Sequence, residues 1–133
     1  MIIWRSSLTT WRPIRYGLER YYVPEGKGQA IEDMAETGPD AIETLTSDRS
    51  SGDVDLADAK QRIGDKVCLF GGFNEHLLHE ADADAVRAEV RRCLDAAMAG
   101  GGYVLRSTGQ IFDAKPGLIE VAAETIREYG TYN

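Results

Sequence analysis

Short apolar runs alternate along this chain with stretches whose apolar residues recur every three or four positions. The short runs are Tyr21-Tyr22-Val23, Asp40 to Leu45, Lys66 to Phe70 and Tyr103-Val104-Leu105. Their length and their aromatic and β-branched content predict strands. The helical spacings lie between them. Ala30, Ile31, Met34 and Ala35 share one helix face, and Gly38-Pro39 ends that helix. Asp55 is placed to cap a second helix with Leu56, Ala59 and Ile63 on its apolar side. Asp82 or Asp84 caps the longest one. There Val86, Val90, Cys93, Leu94, Ala97 and Met98 form a stripe, while Arg87, Glu89, Arg91 and Arg92 fall elsewhere. The last helix turns Leu118, Ile119, Ala122, Ala123 and Ile126 inward, and Gly130 closes it.

Four strands, each followed by a helix, predict an α/β fold with a parallel sheet and right-handed crossovers. Four such units form a small open sheet, or one half of a TIM (β/α)₈ barrel. A half barrel leaves raw edges, here Tyr21–Val23 and Tyr103–Leu105, that favour self-association as a homodimer. In parallel α/β folds the ligand site lies beyond the carboxyl ends of the strands. The run Val67-Cys68-Leu69-Phe70 with its Gly71-Gly72 exit is the sharpest pointer to such a place.

Composition narrows the function classes. With 43% apolar and 28% charged residues over 133 positions, the chain is expected to be one soluble globular domain. No run approaches the roughly 18 apolar residues of a membrane span. The net charge of −7 is uneven. Residues 1–20 hold Arg5, Arg12, Arg15 and Arg20 against Glu19, so the rest is strongly acidic. An acidic body argues against nucleic-acid binding. Residues 1–20 read as a basic leader, loosely of transit-peptide composition, or more simply as a surface helix. Residues 21–133 form the expected domain. Cys68 and Cys93 fall in a strand and on an apolar helix face, which predicts buried thiols in a reducing, cytoplasmic setting.

Five segments carry a resemblance. They are Glu43-Thr44-Leu45-Thr46, Gly52 to Lys60, Val67-Cys68-Leu69-Phe70-Gly71-Gly72, Gly100 to Leu105, and Ile126 to Tyr132. In this order the chain, from about Gly26 to Tyr132, resembles the carboxyl-terminal part of the uroporphyrinogen decarboxylase family, which also holds corrinoid-dependent methyltransferases. The resemblance implies the last four units of a (β/α)₈ barrel, with Val67 to Phe70 as its seventh strand and the amino-terminal half outside this chain. It implies a carboxy-lyase of porphyrin biosynthesis acting on a carboxylated tetrapyrrole. The alternatives are a corrinoid-dependent methyltransferase relative and a truncated, non-catalytic domain or gene remnant.

The departures bear on the chemistry. Methyltransferase members carry a His-x-Cys-Gly zinc motif where this chain has Val23-Pro24-Glu25-Gly26, and a cysteine where it has Ser107-Thr108-Gly109-Gln110. The decarboxylases' Gly-His-Gly-Ile pattern is absent from that loop as well. No metal and no cofactor are expected, and no catalytic residue is assigned.

The candidate substrate-binding residues are Glu43, Gly71, Gly72, Asn74, Arg106 and Gln110. Arg106 can fork onto a substrate carboxylate or pair with Glu43. Glu43 can hold a polar group or remain a solvated acid. Asn74 and Gln110 can bond a ligand or their own backbone. Gly71 and Gly72 admit close approach or permit a turn. His76 and His79, with Glu75 and Glu80 beside them, read more simply as a solvated helix start than as a metal pair. Lys27 is a surface lysine by default.

Overall fold

A computed structural model describes residues 29–43, 45–47 and 52–131. Among them the chain builds helix α1 (Gln29–Glu36), strand β1 (Ala41–Ile42), helix α2 (Leu56–Ile63), strand β2 (Cys68–Phe73), helices α3 (Leu77–Glu80) and α4 (Ala83–Ala97), strand β3 (Tyr103–Ser107) and helix α5 (Leu118–Tyr129). The strands form one parallel sheet in the order β1-β2-β3. The expected strand at Tyr21–Val23, the basic segment 1–20, Lys27 and the stretch Val23–Gly26 lie outside the described residues.

The caps explain where two helices begin. Asp55 is extended and its carboxylate accepts the Asp58 N–H at 2.8 Å. Asp82 does the same for Ala85 at 2.9 Å, so Asp82 rather than Asp84 starts α4. Each satisfies a first-turn N–H that the helix itself leaves unpaired. From there Val86, Val90, Cys93, Leu94 and Ala97 are buried against the sheet, where they meet Leu69 and Tyr103. The flanks are tied by polar contacts. Arg62 of α2 pairs with Asp58 and with Glu32 of α1. The Arg91 guanidinium lies 4.2 Å from the centre of the Tyr129 ring and donates to its hydroxyl, joining α4 to α5. Lys60 reaches the carbonyl of Gly101 and so pins α2 to the turn before β3. Burial lowers the pKa of Lys60 and raises that of Cys68, whose rise the nearby Lys60 charge opposes.

Several expectations change. β1 is two residues long instead of spanning 40–45, because the chain beyond it turns to meet its own return. The Val54 N–H bonds Thr46 O at 3.0 Å and the Gly52 N–H bonds Ser47 O at 2.9 Å. β2 does not stop at Phe70. It runs through Gly71 and Gly72 to Phe73, with Gly71 opposite Leu105 and Gly72 opposite Arg106. The glycines are therefore strand residues rather than an exit loop. Both have positive φ, 125° and 86°, so the strand is bent where it passes them. A short helix, α3, fills what reads as a polar segment around His76 and His79. Ile119 is 49% exposed, whereas Thr125 is buried and bonds the Val121 carbonyl. Glu89, expected off the apolar stripe, is buried.

Candidate ligand-binding rim

Parallel strands deliver their carboxyl ends to one edge of the sheet. β1 ends into Glu43, β2 into Asn74 and Glu75, and β3 into Thr108, Gly109 and Gln110. The register therefore gathers five of the six candidate residues, Glu43, Gly71, Gly72, Asn74 and Arg106, around the end of the central strand. Gln110 lies exposed, further out on the same loop.

Glu43 and Arg106 form an ion pair that reaches from the end of β1 to β3, across the central strand. Arg106 is 54% exposed at its side chain and Glu43 23%. The guanidinium is thus held in place yet open to solvent. Its five donors in a fixed fork suit a carboxylate, which is the group Glu43 already presents to it.

Asn74 is buried and occupied by its own loop. Its side-chain oxygen accepts the His76 N–H at 3.1 Å. Glu75 is also buried, and its Oε2 accepts the Thr108 hydroxyl and the Gly109 N–H, both at 2.9 Å. This carboxylate stitches the end of β2 to the end of β3. It is a rim residue that sequence reasoning considered only as a metal ligand. No local signal marked it, because the strand expected from the sequence ends at Phe70 and the structure carries β2 on to Phe73. The space is tight: a Cβ on Gly109 would come within 2.2 Å of Glu75 Oε1.

His76 Nε2 stands 3.9 Å from Glu75 Oε1, and the His76 and His79 rings are 6.5 Å apart. His79 bonds the Asp113 carbonyl through Nδ1. Among the described residues no three His, Cys, Asp or Glu side chains converge in a way that could hold a metal ion. No described helix is long and apolar enough to cross a membrane.

Beneath the rim, Tyr103 donates its hydroxyl to Gly71 O at 2.8 Å. Cys93 Sγ lies 3.2 Å from Gly72 O. Burial pushes the Cys93 thiol up to about 12 and raises the Tyr103 phenol as well, so both stay protonated donors. Neither is a nucleophile in this setting.

A parallel sheet alternating with helices, with charged and polar groups at its carboxyl edge, defines an α/β protein of the βα-repeat class. The sequence description of the family "Uroporphyrinogen decarboxylase (URO-D)" matches residues 15–129. The chain belongs to the uroporphyrinogen decarboxylase family. It is 38% identical over 110 residues to the uroporphyrinogen decarboxylase of Ralstonia pickettii, covering 79% of this chain and 27% of that protein. The Methylococcus capsulatus enzyme is 31% identical over 81% of this chain and 29% of its own length. The Cupriavidus necator enzyme is 34% identical over 84% of this chain and 30% of its own. The chain thus spans between a quarter and a third of these relatives.

Proposed function

We propose that this chain is the carboxyl-terminal part of a uroporphyrinogen-decarboxylase-like enzyme, with residues 21–133 forming four βα units of a (β/α)₈ barrel. Its rim at Glu43, Gly71, Gly72, Asn74, Arg106 and Gln110 binds a carboxylated tetrapyrrole. The observation that carries this reading is the Glu43–Arg106 pair at the carboxyl edge of a parallel sheet. Arg106 is preorganised by a carboxylate and half-open to solvent. A substrate carboxylate can displace Glu43 and take over the same fork without any new donor being ordered.

Decarboxylation breaks a carbon–carboxylate bond, releases carbon dioxide, and leaves the bonding electron pair on the carbon, where a proton then forms the carbon–hydrogen bond. A cation that binds the carboxylate contributes orientation, and a proton must reach the carbon. Arg106 serves the first need. The proton donor is not assigned to this chain, which spans only between a quarter and a third of these relatives' length.

The test uses purified chain with uroporphyrinogen, alone and beside a supplied amino-terminal segment from one of the named relatives. Product formation only in the mixture is the expected result. Binding of a carboxylated porphyrin that is unchanged in Arg106→Ala, with the fold intact, would refute the assignment of the rim.

A further inference from the structure

Arg92 and Glu89 lie on the flank of α4 and meet the central strand at the glycines. Arg92 Nη2 donates to Gly72 O at 2.8 Å and to Glu89 Oε1 at 2.7 Å, while its Nε donates to Glu89 Oε2 at 2.8 Å. Glu89 Oε1 also accepts the Asn74 N–H at 3.2 Å. One bidentate ion pair therefore grips the carbonyl before Phe73 and the N–H after it. Gly71 and Gly72 have positive φ, so the strand departs from regular geometry here and its peptide groups need partners outside the ladder.

The Glu89 side chain is 3% exposed and that of Arg92 31%. Stability alone does not call for such a pair, since apolar residues of similar volume commonly pack as well in its place. What apolar residues cannot do is fix the direction of two peptide groups. We propose that Glu89 and Arg92 are positioning residues, which hold Gly72 and Asn74 in the geometry that the rim needs to bind its carboxylated ligand. This inference rests on the reading of the rim as ligand-facing.

The experiment compares the full chain with Arg92→Lys, Arg92→Met and the double variant Glu89→Leu/Arg92→Met. Three quantities are read: melting temperature, hydrogen exchange of the Asn74 amide, and affinity for uroporphyrin by fluorescence titration. The double variant is expected to melt lower, because the Asn74 N–H and Gly72 O give up partners, while Asn74 exchanges at least about tenfold faster and affinity falls on the order of tenfold, the scale of one charge-assisted hydrogen bond and more than the melting loss accounts for. Arg92→Lys keeps one donor for Gly72 O and recovers part of the affinity that Arg92→Met loses. If Arg92→Met does not fold, the double variant, which leaves no buried charge, gives the answer. Unchanged Asn74 exchange in a folded double variant overturns the inference, as does an affinity loss that only follows the melting temperature. If the unaltered chain binds no uroporphyrin, the ligand reading fails, and the Asn74 exchange rate alone decides whether the pair sets the segment's geometry.

Discussion

Replacing Gly72 with alanine should destabilise the fold through two separable effects. The first is conformational: Gly72 has φ of 86°, a region where an L-residue costs about 1–2 kcal/mol. The second is steric. An added Cβ would lie 2.7 Å from Leu56 Cδ2 and 3.3 Å from the Tyr103 hydroxyl oxygen. Leu56 is 3% exposed and has little room to retreat, and over-packing of this kind costs about 1–3 kcal/mol. The sum is about 2–5 kcal/mol. Gly101 supplies the control, because its φ is 79° but nothing lies within 4 Å of its would-be Cβ. Gly101→Ala should lose only the first contribution. Urea unfolding followed by far-ultraviolet circular dichroism measures both, and Gly72→Ala should be the worse by about 1–3 kcal/mol. Adding Leu56→Ala to Gly72→Ala should cost less than the two changes separately, since the new methyl then enters a space that the leucine has left. Equal losses at the two glycines, or strict additivity with Leu56→Ala, would refute the steric argument.

Glu43→Gln should tighten binding of a carboxylated porphyrin while Arg106→Ala weakens it, because Glu43 is the intramolecular competitor for the same fork; a weaker Glu43→Gln complex would show Glu43 to be a ligand contact instead. Stability should fall as pH rises above 9: the Cys93 pKa is raised from an ordinary 9.0 to about 12, so between those values the unfolded thiol ionises while the folded one stays neutral. The slope is at most about 1.4 kcal/mol per pH unit for that group. Tyr103 adds to the same trend above its ordinary 10.0. Denaturation midpoints at pH 7, 9 and 10.5 check this, and Cys93→Ala should flatten the profile. Gly109→Ala should push the Glu75 carboxylate out of its bonds with Thr108 and Gly109 and cost about 1–3 kcal/mol. A double-mutant cycle with Glu75→Ala should show coupling, and additivity would count against the clasp.

The alternation of strands and helices was legible because the longer helices carry an apolar stripe and two of them, α2 and α4, a capping aspartate as well. Asp55 and Asp82 announce caps, and Val86, Val90, Cys93, Leu94 and Ala97 announce a buried face. The pairing of Glu43 with Arg106 was legible for a related reason: parallel strands align their carboxyl ends, so two opposite charges at such ends are natural partners. The extension of β2 was not legible. Glycine disfavours strands, and only the ladder to Leu105, Arg106 and Ser107 reveals that Gly71, Gly72 and Phe73 continue one. Glu89 was hidden because its burial depends on Arg92 and on Gly72 O and Asn74 N, which come from another element. Glu75 was hidden likewise, since its partners Thr108 and Gly109 lie more than thirty residues away. Local spacing reveals faces. It does not reveal which polar groups meet across them.

The order β1-β2-β3 has a kinetic consequence. Among the described residues each strand's neighbour is the next one along the chain, reached through α2 between β1 and β2 and through α3 and α4 between β2 and β3. Among the described strands no pairing has to wait for a distant segment, so the entropy of loop closure is met in small, similar steps. The β2–α4–β3 portion contains the longer strands and the longest helix, and is the natural nucleus. β1, with two paired residues, joins late and opens first. Amide exchange at Ala41 and Ile42 should therefore outpace that at Leu69 and Val104, and the order of protection along the chain would record the order of assembly.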